Sequence, residues 1–239
     1  QQQQQQQHPE EEQQQHKLEQ REQLQQQRTE AELEACRARR SLPILLFDLN
    51  GTLTSHTSRR KAAGTNHPRP HVALLARLAK KFRLGIYTSS TVRTVAAAKQ
   101  MLEKIAGCPL FEPHLILYRE HTMPALAMHR ENGGKEWDTV KPLGKWFGKM
   151  DRVLLFDDDE YKALAGEEGN MVLVPAWGNG ELEDQGCRVL EALVAAVEEE
   201  LGGLDADVDV RTVVPRIRQR LLAAAQARKE ELEQQQQQQ

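Results

Sequence analysis

Cysteine is scarce. Cys36, Cys108 and Cys187 are odd in number, far apart and without Cys-x-x-Cys or His-x-x-x-His companions, which argues against a disulfide scaffold and a zinc site and fits a reducing compartment. An excess of one charge is missing as well: 32 basic and 35 acidic residues among 239 leave a formal charge of −3. Aromatic residues make up only 5% of the chain and no Lys/Arg block is interleaved with them, so nothing directs the chain to nucleic acid. No apolar run approaches the ~20 residues that cross a bilayer, and no membrane span is expected in this sequence. It begins with Gln rather than Met, and so carries no information on a targeting peptide or anchor upstream. The eight histidines are scattered, His8 and His16 among them in a polar tract; surface placement is the simplest reading of all of them.

The mean hydropathy of −0.66 is low for a packed protein, but glutamine tracts at both ends depress it. Residues 1–40 are mostly Gln, Glu, Lys and Arg, and Leu18, Leu24 and Leu33 do not fall on a heptad. Disorder or a solvated helix is expected there, a partner-binding coiled coil being the sharper alternative. Residues 231–239 read as a poly-Gln tail, and either end is a candidate contact for other proteins. Between them, 41–230 is taken as one domain, since the roughly 170–190 residues of ordinary globular sequence suffice for one core.

Residues 44–54, Ile-Leu-Leu-Phe-Asp-Leu-Asn-Gly-Thr-Leu-Thr, run from an apolar stretch into a carboxylate and a tight turn. Two readings stand on this segment alone. A buried strand would deliver Asp48 to its carboxyl end, where open α/β sheets gather ligands. Asn-Gly between apolar residues is equally a hairpin signal, with Asp48 solvated near the turn. Residues 152–159 repeat the grammar, Leu-Leu-Phe running into Asp157, Asp158 and Asp159. Two parallel strands of this kind would bring Asp48 to Asp157 and Asp158. Carboxylates so close repel unless a cation lies between them, and an oxygen-only cluster suits Mg²⁺.

The rest alternates strand and helix, which implies a mostly parallel α/β sheet. A basic loop through Arg59, Arg60, Lys61 and Gly64 leads to a helix over 71–82 on Leu74, Leu78 and Phe82. A strand at 83–87 opens into Thr88, Ser89 and Ser90, which either seat a phosphate at the start of a helix or merely cap it. That helix presents Val92, Val95, Ala96, Leu102 and Ile105. Residues 107–140 read as a small antiparallel insertion, with a strand at 115–119 and a turn at Asn132-Gly133-Gly134. A short helix follows near 144–148, a strand at 171–175, an amphipathic helix at 183–201, and a last helix opened by Pro215.

Taken in order, these segments resemble the haloacid dehalogenase superfamily, and within it the RNA polymerase II C-terminal-domain phosphatases, their NLI-interacting-factor-like relatives and the mitochondrial import subunit that shares the domain. Residues 48–53 resemble the nucleophile motif, Arg69-Pro70-His71 the arginine-proline after it, and 86–90 the hydroxyl motif. Residues 117–121 are similar to the insertion strand, 140–143 to the lysine motif, 156–158 to the metal motif and 209–211 to a late signature. The resemblance implies a Rossmann-like sheet flanked by helices, a small antiparallel insertion and no large cap. It implies that Asp48 attacks phosphorus, that Asp48, the Asn50 carbonyl and Asp158 hold Mg²⁺ with Asp157 nearby, and that Thr88, Ser89 and Lys141 hold the phosphate. The implied substrate is phosphoserine or phosphothreonine in a protein, and the setting intracellular: nucleus or cytoplasm, with a mitochondrial one left open.

One residue departs from the pattern. The family has a second Asp where this chain has Asn50, and an amide can neither protonate a leaving alkoxide nor activate water, help worth roughly 10²–10⁴ in rate. Two functions are therefore expected: a slowed Mg²⁺-dependent phosphatase or, as the alternative, an inactive binding or scaffold module with an import-subunit-like role.

Overall fold

The computed structural model describes residues 23–28, 30, 34, 37–55, 67–178, 183–205 and 207–237, with backbone alone over 183–187, at 228, 229, 232 and 233, and over 235–237. The chain divides into two units, 1–41 and 42–239. In the first, 23–28 and 37–41 are helical and exposed, Leu24 included. The basic loop expected at 59–64 lies outside the described residues.

The second unit carries strands β1 (Ile44–Phe47), β2 (Arg83–Tyr87), β3 (Ile116–Leu117), β4 (Met123–Pro124), β5 (Thr139–Val140), β6 (Val153–Asp157) and β7 (Met171–Leu173). Five form a parallel sheet in the order β3-β2-β1-β6-β7, while β4 and β5 pair antiparallel. Its helices are α1 (Leu75–Ala79), α2 (Val92–Ala106), α3 (Ala127–Glu131), α4 (Glu183–Leu201) and α5 (Val214–Gln237). Among the described residues no helix is long and apolar enough to cross a membrane.

The period-two alternation of strands divides the core. Leu45 and Phe47 of β1, with Leu84, Ile86, Leu154 and Phe156, belong to the larger cluster, which includes Leu75 and Leu78 of α1, Val95 and Leu102 of α2, and residues of α4 and α5. Leu46, Tyr87 and Leu155 belong to a second cluster with Leu115, Leu117 and Leu143. Buried on both faces, β1 and β6 need continuous apolar runs, and each fully buried Leu or Phe contributes about 1.5–3 kcal/mol. Phe47 and Phe156 stack at 4.8 Å across the register that sets them opposite each other. The hairpin reading of 44–54 is thereby replaced, because β1 pairs parallel with β2 and β6.

Other expectations are corrected. The 71–82 helix is broken into a 3-10 turn at Val72–Leu74 and the short α1, after His71 in a left-handed conformation (φ 61°). Helix α2 rests on Val95, Ala98 and Leu102, a narrower stripe than predicted, leaving Val92 and Ile105 51% and 45% exposed. The 115–119 strand shrinks to β3 and joins the main sheet as a parallel edge rather than the insertion. Gly85 permits this approach, since a Cβ there would collide with the Leu115 carbonyl. The turn expected at Asn132-Gly133-Gly134 is present, directly after α3 with Asn132 as its C-cap residue, between the antiparallel β4 and β5. No helix forms at 144–148, where the Trp146 and Phe147 N–H groups both donate to the Leu143 carbonyl in a single turn and the Glu167 carboxylate accepts from the Leu143 and Gly144 N–H groups. Helix α5 runs past residue 230 into the glutamine tract.

Candidate active site

The parallel register of β1 and β6 places Phe47 beside Phe156, so the next residues, Asp48 and Asp157, emerge together at the carboxyl edge of the sheet. The Asp48 N–H donates to the Phe156 carbonyl at 2.9 Å, continuing the ladder one step past the strand. The chain then turns sharply: Gly51 adopts φ 87°, which a side chain would strain, and the Leu53 and Thr54 N–H groups both donate to the Leu49 carbonyl. This turn aims Thr52 at the acidic cluster, where its hydroxyl donates to Asp158 Oδ1 at 3.0 Å.

Lys141 is fully buried and donates from Nζ to Asp48 Oδ1 at 2.6 Å and to Asp157 Oδ2. Its backbone is held from the other side, the Lys141 N–H donating to the Lys162 carbonyl at 2.8 Å. Asp48, Asp157 and Asp158 each place a carboxylate oxygen within 4.8 Å of the others. Burial pushes the Asp157 carboxyl up to about 7, Lys141 pulling against it and Asp48 adding to it. Burial opposes the Lys141 ammonium too, but Asp157 and Asp48 outweigh it and raise its proton affinity.

The hydroxyls lie beside this cluster. Helix α2 has Thr91 as its N-cap residue, without a side-chain capping bond, so the capping reading of Thr88, Ser89 and Ser90 does not hold. Instead, buried Thr88 accepts from the Ser90 N–H at 3.3 Å. Ser90 Oγ accepts from the Asn50 amide at 3.0 Å. Ser89 Oγ shares a 2.8 Å bond with the Thr139 hydroxyl and accepts from Lys162 Nζ at 3.2 Å. Asp48, Lys141, Asp157 and Asp158 thus converge, while Asn50, Thr88 and Ser89 are bonded to Ser90, Thr139 and Lys162 rather than to these four. Arg69 of the arginine-proline pair is buried and donates to the Pro175 carbonyl at 2.6 Å, tying the chain beyond the turn to that beyond β7.

The family model for NLI interacting factor-like phosphatases matches residues 43–208, well over half of the chain and all of these groups. The chain belongs to this family. It shares with the NLI interacting factor-like phosphatases the haloacid-dehalogenase fold class, a mostly parallel sheet with a small antiparallel addition. Among solved structures it is similar to the fission yeast RNA polymerase II CTD phosphatase Fcp1 bound to beryllium fluoride, at 14% identity and a TM-score of 0.43, over 80% of this chain and 65% of that one. It is also similar to a structure of Fcp1 described as an essential RNA polymerase II CTD phosphatase, at 17% identity and a TM-score of 0.42, over 77% and 60%. The chain therefore spans less than two thirds of either. No curated protein matches it.

For an NLI interacting factor-like domain, three participants escaped the sequence reading: Thr52, Thr139 and Lys162. Thr52 lies within the nucleophile motif and could have been found by its spacing from Asp48. Nothing in the sequence separates Lys162 from a surface lysine. Burial, and after it the Lys141 charge, hold the Lys162 ammonium below its usual range.

Proposed function

We propose that the chain is a Mg²⁺-dependent phosphatase of phosphoserine and phosphothreonine in proteins, acting through an aspartyl-phosphate on Asp48 and slowed by Asn50. The observation that carries this reading is Lys141, a buried ammonium bonded to both Asp48 and Asp157 at the carboxyl edge of the sheet. One lysine does not neutralise three clustered carboxylates, and an all-oxygen donor set of this kind fits a hard divalent cation. Asp48, Asp158 and the Asn50 carbonyl would hold it, with Asp157 alongside. Bound Mg²⁺ would supply positive charge that screens the carboxylates from an incoming phosphate and polarises its oxygens.

Asp48 then forms a bond to phosphorus while the ester P–O bond breaks and the alkoxide departs. Asp157, tied to Lys141 and to the Asp159 N–H, keeps the ammonium in place beside the nucleophile. Lys141 offsets charge building on the phosphoryl oxygens. The alkoxide must find its proton in solvent, because Asn50 has none to give, and water that later cleaves the aspartyl-phosphate receives no carboxylate base at that position. The short chain between Asp48 and Thr88 leaves no room for a large cap, which favours a phosphoprotein over a small metabolite, by analogy with the family. Asn50 itself favours a second reading, a non-catalytic binding module on the same pocket.

The test joins turnover of an aryl phosphate, with and without Mg²⁺, to thermal melting. Mg²⁺ is expected to be required for turnover and to stabilise the fold by mass action, about 2.7 kcal/mol at a hundredfold excess over Kd. Asp158→Ala should abolish both responses. An unchanged Mg²⁺ shift in that variant would make the acidic cluster a solvated turn and remove the basis of the proposal.

A further inference from the structure

Lys162 ends a 3-10 turn at Glu160–Lys162 just beyond the acidic cluster, and is only 8% exposed. Among the described residues no carboxylate forms an ion pair with it. Its ammonium meets the Ser89 hydroxyl at 3.2 Å and the Tyr161 ring at 4.5 Å from the centroid. An ammonium has three donors, and Asp157, Asp48 and Asp159 attract its charge without bonding to it. A fold keeps such a group where an anion comes to it.

The surroundings indicate which anion. The Lys162 carbonyl accepts from the Lys141 N–H, so the two lysines are locked side by side, and the charges felt at Lys162 are those of Lys141, Asp157, Asp48 and Asp159. Lys141 is already engaged by two carboxylates. Lys162 is bonded to the hydroxyl loop that carries Thr88, Ser89 and Ser90. We propose that Lys162 is the second cation of the phosphoryl seat, its ammonium and the Ser89 hydroxyl together binding a non-bridging oxygen of a phosphate monoester placed over Asp48. This rests on the phosphatase reading of the site and adds to it a residue that binds the transferred group. Thr139, sharing its hydrogen bond with Ser89, is then a positioning residue that links the insertion strand β5 to the seat.

The experiment compares wild type, Lys162→Met and Lys162→Arg in saturating Mg²⁺, reading the thermal shift caused by inorganic phosphate and the kinetics of aryl phosphate hydrolysis. Loss of a charge-assisted hydrogen bond should raise KM and weaken phosphate binding by about 10- to 100-fold in Lys162→Met, with kcat changed less. Lys162→Arg should restore most of both. The Mg²⁺ shift should be equal in all three, and ligand-free Lys162→Met should melt close to wild type, since burial disfavours the charge that the variant loses while the nearby carboxylates, which do not bond to it, favour it. Equal phosphate responses in wild type and Lys162→Met would overturn the assignment while leaving the phosphatase reading intact. A large fall in the melting temperature of ligand-free Lys162→Met would also overturn it, making the lysine a structural prop. Phosphate binding that depends on Lys162 in a protein without turnover would keep the anion seat and sink the phosphatase. A wild type that neither responds to phosphate nor turns over would remove both.

Discussion

Asn50→Asp is expected to raise turnover of a phosphoserine peptide by about 10²–10⁴, the factor associated with a positioned general acid–base. The Asn50 amide donates to Ser90 Oγ at 3.0 Å, and a carboxylate there can accept from the same hydroxyl, so the substitution needs no rearrangement. The gain should be largest for an alkyl phosphate, whose leaving group needs a proton, and smaller for an aryl phosphate, which departs without one. Asn followed by Gly is prone to deamidation, and a partly converted sample would imitate weak native activity. Peptide mass analysis of residue 50 is therefore part of the measurement. If Asn50→Asp folds, binds Mg²⁺ and hydrolyses neither substrate, the missing acid was not the defect, and the binding-module reading takes over.

Lys141→Met is expected to be the most damaging single change to the fold at this site. The ammonium is bonded to Asp48 and Asp157, both buried, and removing one partner of a buried ion pair typically costs about 3–5 kcal/mol. The effect depends on pH with a defined sign. Asp157 is already pushed up to about 7 with the lysine present. The folded state thus holds this proton more tightly than the unfolded chain does. The contribution from Asp157 is complete below about pH 4 and is lost as pH rises through about 7. Without Lys141 the proton is held more tightly still. In chelator, the deficit of the variant against wild type should therefore be large at pH 8 and smaller at pH 5, read as the difference between melting curves. A deficit independent of pH would point to packing rather than charge.

The twin runs of Leu-Leu-Phe into acid made the centre of the fold legible, because strands buried on both faces need unbroken apolar sequence and tolerate a carboxylate only where they end. The parallel pairing of β1 and β6 and the meeting of Asp48 with Asp157 follow from that. Features decided by distant partners were hidden. The Leu143 and Gly144 N–H groups are taken by Glu167, far along the chain, which no local pattern announces. The 115–119 strand joins the main sheet because Gly85 leaves it space. Lys141 stood out only through family resemblance, and Lys162 not at all, since a lysine between a tyrosine and an alanine has the same local pattern buried or exposed. Asn50 is read directly from the sequence, and the expectation built on it rests on the chemistry that separates an amide from an acid.

The central claim is that Asp48 itself carries the phosphoryl group. The direct measurement is to mix the Mg²⁺-loaded protein with an aryl phosphate, quench during turnover, reduce with borohydride and sequence the peptide containing residue 48 by mass spectrometry. An acyl phosphate at Asp48 would be reduced to homoserine there, and Asp48→Asn should show neither homoserine nor turnover. Steady turnover with an unmodified Asp48, or turnover that survives Asp48→Asn, would contradict the account.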